Sequence, residues 1–94
     1  MAGYVIVQVD VHDAEKFEQY RPQVPPTLEQ YGGEYVVRGG PQECLEGTWH
    51  PRTVVIKFAS VEKARAWYDS EEYAAPKALR HSASNANLLI VEGA

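Results

Sequence analysis

The densest set of side chains able to do chemistry lies in two short stretches, Arg38-Gly39-Gly40 and Glu46-Gly47-Thr48-Trp49-His50-Pro51-Arg52. Arg38 and Arg52 carry planar guanidinium forks that can grip a carboxylate through two parallel hydrogen bonds. His50 is a candidate acid or base, because an imidazole changes charge near neutral pH. Trp49 offers an apolar wall, and Glu46 sits beside it. The glycines let backbone approach a ligand closely or turn sharply. A structural reading competes with this one. Gly39-Gly40 can be a strand bulge, Arg38 can pair with Glu46 to fix a hairpin, and Trp49 can pack where two copies meet. On the chemical reading His50 is a catalytic residue, and Arg38, Glu46, Trp49 and Arg52 bind substrate.

Other chemistries lack their residues. His12, His50 and His81 are far apart, and no pair has His-x-x-x-His or His-Glu-x-x-His spacing, so no metal site is expected. Neither a glycine-rich dinucleotide motif, nor a phosphate-binding loop, nor Gly-x-Ser-x-Gly occurs. No cofactor is therefore assigned. Cys44 is the single cysteine, which excludes an intrachain disulfide and reads as a small half-buried strand residue. With 13 acidic against 9 scattered basic residues, the chain lacks the basic patch of a nucleic-acid partner. Its longest apolar runs are about four residues where a membrane span needs about 20. The first residues show no basic leader or cleavage-type tripeptide, so a cytoplasmic protein is expected.

Those candidates must be positioned by few elements. The 94 residues are expected to form one domain over 1–94, with 45% hydrophobic residues, near the globular norm. Tyr4–Val11 alternates with period 2, placing Val5, Val7, Val9 and Val11 on one strand face. Asp13 offers an N-cap, and Phe17, Tyr20, Val24, Leu28 and Tyr31 recur at helical spacing. Pro22 should kink this helix, Pro25 or Pro26 should restart it, and Gly32-Gly33 should end it. Residues 34–38 form a second strand, with Tyr35 and Val37 opposite Val36, broken at Gly39-Gly40-Pro41 and resumed over 42–46. Thr53–Phe58 is a third. Ser60 and Ser70 cap two further helices, the second bent or delayed by Pro76. After a turn at Asn85 and Asn87, residues 87–91 form the last strand.

The order is β-α-β-β-α-β, an α+β ferredoxin-like pattern with a four-stranded antiparallel sheet and the helices on one face. The uncovered face should be polar in a monomer. Instead Tyr4 and Ile6 lie there, and the last strand has apolar residues on both sides, Leu88 and Ile90 against Leu89 and Val91. A second copy packed sheet to sheet would cover this surface, so a homodimer is expected.

The stretch Tyr31–Gly40, then Leu45-Glu46-Gly47-Thr48-Trp49-His50-Pro51-Arg52, Phe58-Ala59-Ser60, Ala64–Tyr73 and Lys77-Ala78-Leu79-Arg80, closely resembles domain-of-unknown-function family 1330. The resemblance spans essentially the whole chain. It implies a ferredoxin-like fold assembled as a dimeric α/β barrel. The same superfamily contains cofactor-free antibiotic-biosynthesis monooxygenases, haem-degrading oxygenases and muconolactone-type isomerases, but the family brings no reaction of its own. Enzymes of that superfamily often hold substrate between helices and sheet. By that resemblance a cleft lined by Tyr20, Tyr31, Trp67, Tyr68 and Tyr73 is a second candidate site, with Tyr20 as an acid–base group and Trp67 and Tyr68 binding substrate. The same aromatics at helical spacing also read as plain core. Two functions remain: a cofactor-free, monooxygenase- or isomerase-like enzyme on a small aromatic or carboxylated metabolite, or a non-catalytic small-molecule-binding or accessory dimer.

Overall fold

Alternation along Gly3–Val11 produces β1, and it pairs on both sides, so it is an inner strand of the sheet. A computed structural model describes all 94 residues. After β1, the Asp13 carboxylate accepts the Lys16 N–H at 3.1 Å and starts α1, Ala14–Tyr20. Pro22 tightens the next turn into a 3-10 segment, Arg21–Gln23. α2, Val24–Tyr31, follows with Pro25 and Pro26 in its first turn, where a missing N–H breaks no helical bond. Gly32 closes it at φ 73°, a left-handed position that suits glycine.

β2 covers Glu34–Arg38 and β3 covers Arg52–Phe58, joined by residues 39–51 without regular structure. Ser60 caps α3, Val61–Tyr68, and Ser70 caps α4, Glu71–Ala83, each through its hydroxyl. β4 spans Ser84–Glu92. The sheet order is β2-β3-β1-β4, antiparallel throughout. This is the expected ferredoxin-like arrangement.

Four local expectations are corrected. Residues 42–46 do not resume a strand, and Cys44 is exposed in the loop, its thiol directed at the Glu46 and Gly47 carbonyls. No turn forms at Asn85 and Asn87; β4 leaves α4 directly at Ser84, whose hydroxyl satisfies the Arg80 carbonyl at 2.8 Å. Pro76 does not delay α4, which begins at Glu71 with Pro76 buried in its interior. The bulge falls at Val36, not at Gly39-Gly40. Tyr35 pairs with Ile56 but Val37 with Val55, so one residue of β2 is extra. An extra residue inverts the facing of everything after it. Tyr35 and Arg38 therefore share the helix face, and Val37 turns to the opposite one.

The core lies between helices and sheet. Val5, Ile56 and Phe58 from the strands meet Val24, Leu28, Ala64, Trp67 and Tyr73. Trp67 and Tyr73 are fully buried, and side chains of this size stabilise by roughly 1.5–3 kcal/mol each on burial. The Trp67 indole N–H donates to Thr27 Oγ1 at 2.9 Å, and that hydroxyl donates to the Val24 carbonyl at 2.7 Å, so both of these buried groups are satisfied. No helix is long and apolar enough to cross a membrane.

Candidate functional site in the helix–sheet cleft

The core is not filled at one end. Between α1, α4 and the helix face of the sheet lies a cavity of about 40 Å³. A void needs roughly 10–15 Å³ to admit a water, so several fit. Its floor is Val5, Val7 and Val9 of β1 with Val54 and Ile56 of β3. Four of the chain's five arginines border it, Arg21, Arg38, Arg52 and Arg80, and no Asp, Glu, Lys or His does. A chain of net charge -4 thus gathers its guanidinium groups around one small void.

Each arginine arrives by a different local device. The Val36 bulge brings Arg38 to this face, where its guanidinium rides 4.3 Å from the Tyr35 ring centroid. Arg52 opens β3 opposite Val9, and its guanidinium sits 5.8 Å from the Phe17 ring. Gly39, at φ 68°, lies against the Arg52 guanidinium, and a Cβ there would collide with it. Arg21 follows the kink that Pro22 imposes, and Glu18 holds it from outside the cavity at 3.1 Å. Arg80 is 4% exposed on α4, seven residues after Tyr73 and so on the same helix side.

Two phenols complete the site. The Tyr20 and Tyr73 hydroxyls are 2.8 Å apart, and Arg80 Nε donates to the Tyr73 oxygen at 3.3 Å. Burial pushes the Tyr20 pKa well above its ordinary 10.0, and the neighbouring Tyr73 adds to the rise. Tyr20 is therefore a neutral hydroxyl, able to donate but not to act as a phenolate base. Burial also opposes the Arg80 charge, but Tyr73 and Tyr20 more than offset that and raise its pKa. Arg52 goes the other way: burial lowers its pKa, and the charges of Arg21 and Arg38 lower it further. Arg52 Nε is buried without any hydrogen-bond partner. A buried unsatisfied guanidinium donor is costly, and it is the kind of group a ligand oxygen satisfies.

The sequence-predicted residues divide between the two sides of the sheet. Tyr20, Arg38, Arg52 and Trp67 line the cavity. Glu46, Trp49 and His50 lie in the 39–51 loop, which is anchored to the opposite face. There the Trp49 indole donates to Thr53 Oγ1 at 2.9 Å, and the His50 N–H donates to Gln8 Oε1 at 3.1 Å. Glu46 is exposed and forms no ion pair with Arg38. Tyr68 is half-buried outside the cavity, with Lys77 4.2 Å over its ring. His50, Tyr68 and His81 border a shallow groove along β4 instead. Tyr31 donates to Glu72 Oε1 at 3.1 Å, away from the cavity. Sequence reasoning missed Arg21 and Arg80. The i, i+7 spacing of Tyr73 and Arg80 was the available signal for the second. No group of three His, Cys, Asp or Glu residues gathers in a metal-binding arrangement.

A family model described as a domain of unknown function, DUF1330, matches residues 2–94. The chain belongs to the DUF1330 family. No curated protein matches it. Among solved structures it is similar to the RPA0582 protein of unknown function from Rhodopseudomonas palustris, with TM-score 0.80 and 18% identity over 99% of this chain and 82% of that one. A dimeric protein of unknown function and ferredoxin-like fold from Bacteroides fragilis matches with TM-score 0.65 and 12% identity, over 98% and 96% of the two chains. SnoaB, a cofactor-independent oxygenase from Streptomyces nogalater, matches with TM-score 0.67 and 10% identity, over 99% and 93%. At these identities the likeness is one of fold, and a DUF1330 chain shares that fold with dimeric proteins and with an oxygenase.

Proposed function

We propose that this DUF1330 protein binds a small aromatic or carboxylated metabolite in the helix–sheet cavity and acts on it as an enzyme of the monooxygenase or isomerase kind, without a cofactor. One observation carries the reading: four arginines and a hydrogen-bonded phenol pair enclose a void bordered by no acidic side chain. Positive charge and neutral donors fixed around a void stabilise an anion that forms there. With no carboxylate or imidazole on its wall, the cavity favours holding an enolate or phenolate over abstracting the proton that makes one. Tyr20 donates to the oxygen on which negative charge builds, and Tyr73, ordered by Arg80, holds Tyr20 in place. SnoaB supports the reading to the extent that cofactor-independent oxygenation is done on this fold.

The same reading includes a second copy on the open sheet face. Val37, Val55, Ile6 and Leu89 pair in register across all four strands and form one apolar row. Leu89 is 54% exposed in the single chain. Self-association agrees with the dimeric Bacteroides fragilis protein of the same fold, and the apolar row is what assigns it to this face.

A nitrophenol whose ionised form absorbs visible light tests the site. Its apparent pKa should fall on binding to the protein, and less so in Tyr20→Phe. An unchanged or raised pKa in the bound state would refute anion stabilisation in the cavity.

A further inference from the structure

We infer that the cavity has two separate oxygen seats, one for a carboxylate at Arg38 and Arg52, one for a carbonyl or phenolic oxygen at Tyr20 and Tyr73, so that the ligand is a planar monocarboxylic acid bearing a second oxygen remote from the carboxylate. This rests on the binding reading above and narrows it to a substrate class.

The two ends differ in what their polar groups already have. At the tyrosine end the groups are mutually satisfied: Tyr20 to Tyr73 at 2.8 Å, and Arg80 Nε to Tyr73 at 3.3 Å. Two hydroxyls sharing one hydrogen bond leave one O–H free to turn outward and donate to a ligand oxygen. At the other end Arg52 Nε is buried with no partner, and the Arg38 guanidinium lies over the Tyr35 ring with no carboxylate against it. Arg21 stands beside them, and only Glu18, outside the cavity, answers any of these three charges. Like charges held together repel, and an anion seated among them relieves that repulsion.

Gly39 is built around the same seat. Its N–H donates to the Thr53 carbonyl at 2.8 Å, and its positive φ and missing Cβ leave the space that the Arg52 guanidinium fills. Flat rings line the cavity, Phe17, Tyr35 and Tyr73, with the Trp67 ring centroid 4.1 Å from that of Tyr73. They suit a planar spacer. A guanidinium fork accepts carboxylate and phosphate alike, and a planar carboxylate continues the plane of such a spacer where a tetrahedral phosphate does not.

The test uses Trp67 fluorescence in the full chain carrying Trp49→Phe, with 4-hydroxybenzoate, 4-hydroxybenzamide, p-cresol, benzoate and phenyl phosphate as probes. Loss of one charge-assisted hydrogen bond corresponds to roughly tenfold in affinity. The hydroxybenzoate should bind at least about tenfold tighter than its neutral amide, than p-cresol and than benzoate. Arg52→Lys should weaken both carboxylates and spare p-cresol, whereas Tyr20→Phe should weaken the three phenols and spare benzoate. Equal affinity for 4-hydroxybenzoate, its amide and p-cresol would overturn the two-seat inference while leaving the cavity a ligand site, and that comparison needs no variant. Tighter binding of phenyl phosphate than of either benzoate would overturn the carboxylate assignment. Failure of every probe to perturb Trp67 would overturn both this inference and the binding reading.

Discussion

The two faces of the sheet use the same strands for opposite ends. On the helix face, Val5, Val7, Val9, Val54 and Ile56 end in a void rimmed by arginines and phenols. On the open face, Tyr4, Ile6, Val37, Val55, Leu89 and Val91 present an apolar surface bounded by Gln8, Thr53 and the 39–51 loop. Four arginines gather around the cavity, where Arg80 is buried and Arg52 Nε has no partner, and apolar surface lies where the chain is exposed. Each departs from the usual partition, in which buried charges are paired and exposed patches are small. Each departure would be resolved by the occupant proposed above, an anion for the first and a second copy for the second. The comparison teaches that stretches adjacent in sequence, Arg38 and Arg52 against Trp49 and His50, are assigned to different tasks by the sheet between them.

The largest effect should come from charging the open face. Ile6→Asp places a carboxylate in the middle of the apolar row and should shift sedimentation from dimer to monomer at micromolar concentration. A dimer that survives it would break the assignment of that face. The same variant should bind cavity ligands within about threefold of the parent if the faces are independent.

Removing the phenol donor comes next. Tyr20→Phe should lower turnover about a hundredfold, the low end of what a positioned acid contributes, with little change in melting temperature at pH 7. A rate within threefold of the parent would leave Tyr20 as core alone.

A smaller effect concerns alkaline stability. The Tyr20 pKa in the fold is raised above its unfolded value of 10.0, so its contribution is fully present below pH 10 and is lost as pH rises through the folded pKa. Melting temperature should therefore fall above pH 10 in the parent and fall less in Tyr20→Phe. Parallel curves would show that this hydroxyl ionises as easily folded as unfolded.

His50→Ala should change least. Its N–H anchor to Gln8 is main chain and survives the substitution, so ligand affinity and turnover should stay within about twofold. A hundredfold loss would move the chemistry to the open face.

Much of the fold was legible because local signals agreed. Strand alternation, the Asp13, Ser60 and Ser70 caps, and the Gly32 stop all point the same way. The site was legible only in part, since facing depends on register. Uninterrupted alternation puts Tyr35 with Val37 and against Arg38. One bulged residue reverses that, and nothing in Tyr35-Val36-Val37-Arg38 announces it. The joining of Arg52 to Tyr20 and Arg80 is likewise a long-range event, made by chain crossovers and not by spacing. His50 reads as catalytic and Trp49 as substrate-binding beside Arg52 in the sequence, yet the 39–51 loop anchors both to Gln8 and Thr53, across the sheet from the Arg52 side chain.

The two tryptophans report on the two faces separately. Trp67 donates its indole N–H at the cavity wall, and Trp49 donates its own to Thr53 on the other side. A two-dimensional amide NMR titration of the full chain with 4-hydroxybenzoate observes both indole signals at once. Binding in the arginine-rimmed cavity predicts that the Trp67 indole and the Arg52 Nε–H signals shift together while Trp49 stays in place. Movement of Trp49 with Trp67 unmoved would contradict the cavity as the ligand site.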